Sequence, residues 1–252
     1  MELGIKDKNT LIVGASKGIG KSIALGFAQE GARVTTIARS EYLLDELDKE
    51  MKNHYATDHA YYVEDVMESD ANQLARRLIE ERNVFDIVVH NVGGSFVSRN
   101  ALGTLEEWQH ALKLNAGVAI DMNNILIPPM IDKGWGRVIH ISSISAVMLR
   151  GNPLYASAKA FLNAYVTTVG RTFASSGVVI SAVMPGAVAF PGSYWDQYKV
   201  TDPVRCEDFL RHHQAANRFG TTKEIADVVL FMASEKASFM QAALVPVDGA
   251  NM

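Results

Sequence analysis

The sequence predicts one α/β domain, an open, doubly wound, parallel sheet of seven strands with helices on both faces. Three observations carry that prediction. Short β-branched runs alternate with longer helix-like segments, the pattern of βαβ units whose parallel strands are covered on both sides. The 252 residues, 48% apolar and 21% charged, suffice for a single large core without covalent staples. A glycine-rich turn follows the first run, at the carboxyl end of a strand, where such sheets bind ligands.

Composition narrows the function. A single cysteine, Cys206, excludes an intramolecular disulfide and gives no sign of an oxidising compartment. A net charge of −4 argues against nucleic acid as the main partner. The N-terminal residues carry no signal-peptide core, and no apolar stretch reaches the length of a membrane span. A cytoplasmic protein is expected, with no membrane or nucleic-acid partner. No repeat or linker divides residues 1–252, so one domain is expected, its first half to about residue 145.

Strands are read at residues 10–13, 33–37, 60–63, 87–90, 137–141, 178–184 and 244–247. After the first comes Gly14-Ala15-Ser16-Lys17-Gly18-Ile19-Gly20 and a helix-like segment to Glu30. Glycines there let the backbone turn tightly and approach a pyrophosphate, whose charge the helix N-terminus stabilises. After the second strand come Ala38 and Arg39. An acidic residue at that point would hold a ribose 2′-hydroxyl, whereas arginine accommodates a 2′-phosphate. The third strand leads to Asp65-Val66, and the fourth, through His90, to Asn91-Val92-Gly93.

Residues 108–130 read as a long helix interrupted by Asn115, Gly117, Asn123 and Asn124. Two serines, Ser142 and Ser143, end the fifth strand, and a further apolar-periodic segment begins at Tyr155. Tyr155 and Lys159 lie four residues apart, so on a helix they share a face. A cation beside a phenol favours the phenolate and lowers its pKa, which makes the two a proton-transfer pair. Pro185-Gly186 follows the sixth strand. Residues 187–217 are then irregular or weakly helical, with Tyr194, Trp195 and Tyr198 clustered, and a helix begins near Lys223 before the last strand.

The glycine turn, the serine pair and the Tyr155/Lys159 pair, in that order, resemble the short-chain dehydrogenase/reductase family, and the resemblance runs from about Lys8 to Gly249. It is similar in particular to the bacterial 3-oxoacyl-ACP reductases. The resemblance implies a Rossmann-type fold and an NADP(H)-dependent oxidoreductase that interconverts a ketone and a secondary alcohol. It implies a catalytic set of Ser143, Tyr155, Lys159 and Asn115, with Asn115 sustaining a proton relay. Gly14, Ser16, Lys17, Gly18, Ile19, Gly20, Arg39, Asp65, Val66, Asn91, Gly93, Tyr155, Lys159, Pro185, Gly186 and Val188 are implied to contact the cofactor, and no metal is implied. Lys17 stands where NADP-binding members carry a basic residue. Residues 187–217 correspond to a substrate lid, and a homotetramer is expected.

The chain departs from the family's pattern in four places. Val13 replaces a threonine that steadies the glycine turn, His90 and Val92 alter the Asn-Asn-Ala-Gly motif, and Phe190 replaces a threonine that touches the cofactor. These departures suggest a catalytically silent nucleotide-binding protein as one rival reading. The lid, with Phe190, Tyr194, Trp195 and Tyr198 on one side and Asp196, Arg205, Arg211, His212 and His213 on the other, suits a hydroxylated or sugar-like ketone. The competing substrate is a 3-oxoacyl group on an acidic carrier protein.

Overall fold

A computed structural model describes residues 2–55, 57–95 and 101–251. Its seven strands are β1 (Asn9–Val13), β2 (Arg33–Ala38), β3 (Ala60–Val63), β4 (Ile87–His90), β5 (Gly136–Ile141), β6 (Val178–Pro185) and β7 (Leu244–Val247). They form one sheet in the order β3-β2-β1-β4-β5-β6-β7, and each pairs in parallel with its neighbours. The predicted strands agree with these to within a residue at either end. The helices are α1 (Gly18–Gln29), α2 (Glu41–His54), α3 (Ala71–Arg82), α4 (Leu105–Leu112), α5 (Val118–Lys133), α6 (Ser145–Met148), α7 (Pro153–Thr172), α8 (Tyr194–Thr201), α9 (Pro203–His213) and α10 (Thr222–Ala233).

β1, β4, β5 and β6 are buried along their whole length, as strands covered by helices on both faces are. One apolar cluster packs α1 and α10 on one side of the sheet. A second joins α3, α5 and α7 on the other. The strand order reverses between β1 and β4, so the crevice of the doubly wound sheet opens there. Register puts Val13 opposite His90, His90 opposite His140, and Ile141 opposite Val183. The chain therefore leaves four neighbouring strands at one level.

One reading of the sequence is corrected and another is narrowed. The long helix is α4 and α5 joined without a break by a π-helical turn, Lys113–Gly117, and it runs on through Pro128 and Pro129 to Lys133. Asn123 does not interrupt it, because its side chain is buried and bonded to His90, His140 and Tyr165. Of the two alternatives for the lid, irregular or weakly helical, the structure shows the helical one. Ser193 caps α8 by accepting from the Asp196 amide, and Asp202 caps α9 ahead of Pro203, so two helices occupy most of it.

Candidate active site

The cleft at the switch point has a volume of about 810 Å³. Of the residues implied by the family resemblance, Gly14, Ser16, Lys17, Ile19, Arg39, Asp65, Val66, Asn91, Gly93, Ser143, Tyr155, Lys159, Pro185, Gly186 and Val188 line it. Gly18 and Gly20 lie inside the glycine turn without lining the cleft, and Asn115 sits behind it. Leu43, Met67 and His110 also line it, although no motif points to them.

Val13 does not leave the glycine turn unsupported. The Gly14 and Ala15 amides donate to the Ile37 carbonyl at 2.8 and 3.2 Å, and Asn91 Nδ2 donates to the Gly14 carbonyl at 2.7 Å. Backbone and Asn91 thus replace the missing hydroxyl. Lys17 precedes α1 in an extended conformation and gives it no side-chain cap, so the first turn keeps amides available to an anion. Arg39 is exposed and pairs with Asp65 at 3.4 Å, while Asp65 also accepts from the Met67 amide at 3.0 Å. The turn-capping carboxylate therefore holds the arginine over the cleft.

Local sequence sets the other wall. Asn152 caps α7 by accepting from the Leu154 and Tyr155 amides at 3.0 and 3.3 Å, and Pro153 is pre-set for the first helical position. Tyr155 therefore lies in the first turn and Lys159 one turn on. Lys159 is buried, 2% exposed, and its Nζ donates to the Ile141 carbonyl at 2.8 Å. Burial lowers the ammonium from its ordinary value to about 7.

Ser142 and Ser143 part company here. Ser142 Oγ donates to Asn163 Oδ1 at 2.6 Å inside the core, whereas the Ser143 hydroxyl meets the Tyr155 phenol and accepts from the Ser145 amide at 3.1 Å. The bonds from the Ser142 amide to Val183 and from the Ile144 amide to Pro185 extend the β5–β6 pairing past the strand ends and fix Ser143 in place. The phenol does not behave as the sequence suggests. Burial pushes Tyr155 above its ordinary value, and the Ser143 hydrogen bond pulls it back only in part. The Lys159 ammonium lies 5.9 Å from the ring centroid.

Asn115 occupies the centre of the π-helical turn. Its Nδ2 donates to the Ala111 and Gly94 carbonyls at 3.0 and 3.1 Å, and its Oδ1 accepts from the Gly94 amide at 2.9 Å. A π-turn adds a residue to a helix, frees backbone groups, and is frequent at functional sites. Gly93 lies between Asn115 and Lys159. A Cβ there would fall 2.8 Å from both Asn115 Oδ1 and Lys159 Nζ, so glycine alone fits.

In the lid, Phe190 and Trp195 line the cleft. Tyr194 and Tyr198 stack at 5.6 Å, and Trp195 packs on Phe209 at 4.4 Å and Phe219 at 5.3 Å. Asp196, Arg205, Arg211, His212 and His213 do not line it; Arg211 pairs with Glu207 and His212 with Asp208 on the outer surface.

Residues 14–250 match the family model described as enoyl-(acyl carrier protein) reductase, a short-chain dehydrogenase/reductase model. The chain is 28% identical to the 3-oxoacyl-[acyl-carrier-protein] reductase FabG of Thermotoga maritima, over 97% of this chain and 98% of that one. It is 28% identical to a glucose 1-dehydrogenase of Gluconobacter oxydans, over 96% and 91%. Among solved structures, the L-sorbose reductase of Gluconobacter frateurii complexed with NADPH and L-sorbose superposes with a TM-score of 0.90 at 26% identity, over 99% of this chain and 98% of that one. A 3-oxoacyl (acyl-carrier-protein) reductase of Agrobacterium tumefaciens with NADP bound gives 0.90 at 26%, over 98% and 95%.

Proposed function

The chain belongs to the short-chain dehydrogenase/reductase family, and from that premise we propose that it is an NADP(H)-dependent oxidoreductase acting on a ketone or secondary alcohol, with Ser143, Tyr155, Lys159 and Asn115 as its catalytic set. The observation that carries the reading is that Ser143, Tyr155 and Lys159 line one cleft, the lysine buried and one helical turn on from the tyrosine. The cleft fits a dinucleotide. Uncapped amides at α1, with Lys17 and Arg39 beside them, suit phosphates, and the bare Gly93 backbone leaves room above Lys159.

A bound nicotinamide supplies or accepts the hydride. In the reductive direction, the Ser143 hydroxyl holds the carbonyl oxygen and the Tyr155 phenol donates its proton to it. Lys159 and Asn115 lead a replacement proton from solvent. Burial holds the Tyr155 phenol above its ordinary value, so it carries its proton at neutral pH. Tyr155→Phe tests the reading: turnover should vanish while NADPH still binds. A variant keeping more than about a tenth of the rate has lost less than ~1.4 kcal/mol, and the assignment fails.

The substrate reading is a hydroxylated or sugar-like ketone. Trp195 supports it by facing the cleft beside polar groups, and the L-sorbose reductase likeness agrees. A 3-oxoacyl thioester remains the second reading, favoured by the Thermotoga relative. Efficient thioester turnover without activity on hydroxylated ketones would overturn the first. We further infer a single domain and a cytoplasmic homotetramer assembled through α4, α5 and α7, where Phe161 is 46% exposed. Among the described residues no helix is long and apolar enough to cross a membrane. A monomeric mass by light scattering at micromolar concentration would refute the tetramer.

A further inference from the structure

Phe190 lies over the N-terminus of α1. A Cβ built on Gly18, the first residue of that helix, would fall 2.5, 2.6 and 2.9 Å from the Cζ, Cε2 and Cε1 atoms of Phe190, so the ring meets the glycine tip-first. At that separation the ring is in van der Waals contact with the Gly18 backbone. A diphosphate seated on the first turn of α1 would lie beside this ring. The same ring packs against the core cluster under α1 and α10, which holds it there.

A second observation ties this ring to the lid. The Phe190 amide donates to Ser193 Oγ at 3.1 Å, and the Ser193 amide donates back to the Phe190 carbonyl at 2.9 Å. Ser193 is buried, and its hydroxyl is also the cap of α8, accepting from the Asp196 amide at 3.1 Å. Asp196 Oδ2 accepts in turn from the Gly192 amide at 3.0 Å. Residues 190–196 are thus one bonded unit with Phe190 at one end and Trp195 at the other. Both side chains line the cleft.

We propose that Phe190 gates the cofactor: its ring covers the Gly18 turn until a dinucleotide diphosphate takes the place, and its displacement carries Ser193, the first turn of α8 and Trp195 into a new position over the substrate. The proposal rests on the dinucleotide reading above. The departure from threonine at position 190 then has a physical consequence. When only a fraction of molecules has the ring displaced, the apparent affinity for the cofactor falls by that fraction. A small side chain at 190 removes the competition.

The test is NADPH binding to the full chain, wild type, Phe190→Ala and Phe190→Thr, with folding checked by circular dichroism. Equilibrium titration gives Kd, and stopped-flow mixing gives the observed rate against NADPH concentration. The gate predicts a Kd about tenfold lower in both variants, and an observed rate that saturates in the wild type but rises linearly in the variants. It also predicts a tryptophan fluorescence change on NADPH binding that is lost in Trp195→Phe and reduced in Phe190→Ala. An unchanged or raised Kd in both variants overturns the gate and makes Phe190 a roof that contacts the cofactor. A wild-type chain that binds neither NADPH nor NADH overturns the dinucleotide reading itself.

Discussion

Ser142 donates a 2.6 Å hydrogen bond to Asn163, a contact that Ser143, its neighbour at the cleft wall, does not share. Asn163 is itself buried, and its Nδ2 reaches Met184 Sδ, so Ser142 belongs to a packed link between α7 and β6. Ser143, one residue on, is left to meet Tyr155. Ser143→Ala should lower kcat by about 10²-fold or more, as expected for a donor aimed at a developing oxyanion, with the melting temperature nearly unchanged. Ser142→Ala should do the reverse. It leaves a buried acceptor without its donor, about 1–3 kcal/mol, a loss of several degrees in Tm. Steady-state kinetics and thermal melts on the two variants check the assignment, and equal rate losses would undo it.

Lys159 supplies a pH dependence whose sign can be worked out. In the cofactor-free cleft its ammonium titrates at about 7 because burial disfavours the charge. A dinucleotide bound in the cleft brings negative charge that favours the ammonium, so the bound form takes up a proton above pH 7. The affinity for NADPH should therefore be highest below pH 7 and fall as pH rises through 7, by up to about tenfold per unit. Titrations from pH 6 to 9 should show that break in the wild type and lack it in Lys159→Met. A wild-type affinity flat across this range would show that the lysine stays charged in the free protein.

Arg39 pairs with Asp65 at the rim of the cleft. The 3.4 Å pair is exposed and weak, so a phosphate can draw the guanidinium from it at little cost. Charge-assisted contacts to phosphate are among the stronger hydrogen bonds. Arg39→Ala should raise Kd for NADPH by about tenfold, some 1.4 kcal/mol, and leave that for NADH within about twofold. Isothermal titration with both nucleotides decides, and a wild type that binds NADH and NADPH alike would reject NADP preference altogether.

The sheet and most of the cleft are legible in the sequence because both are written locally. A buried parallel strand is a short apolar run, and the residue after it is at the crevice; Gly14, Asn91 and Gly186 follow from that rule alone. The lid helices are legible in principle, since Ser193 and Asp202-Pro203 are start signals, but their faces carry too few apolar residues to show a periodicity. What no local pattern carries is a contact between distant segments. Phe190 lying on Gly18, Asn115 facing Gly93, and the bond from Ser142 to Asn163 each need the fold. The Tyr155 phenol departs from its expected behaviour for a related reason: spacing places a cation nearby, but only the folded structure shows how far burial opposes it.

His90, a departure from the family's asparagine, gives the last prediction. It is buried beside His140, ring centroids 4.9 Å apart, and its Nε2 bonds Asn123 Oδ1 at 2.8 Å. Asn123 Oδ1 can only accept, so His90 donates from Nε2. Asn123 Nδ2 completes the set by donating to His140 Nε2 at 3.3 Å and to the Tyr165 hydroxyl at 3.1 Å. Burial holds His90 down at about 4 and His140 well below its ordinary value, the latter opposed further by His90 and Lys159. Unfolded, each histidine titrates near 6.5. The unfolded chain therefore binds protons that the folded one refuses, and the stability present above pH 6.5 is lost as pH falls toward 4. A tenfold difference in proton affinity between the two states is worth about 1.4 kcal/mol, so His90 alone accounts for roughly 3 kcal/mol between these limits. Urea unfolding at pH 7.5, 6, 5 and 4.5 should show that decline in the wild type and a shallower one in His90→Gln, whose amide can still donate to Asn123 but does not titrate. Parallel slopes in the two proteins would mean that His90 is charged, or solvated, in the folded state.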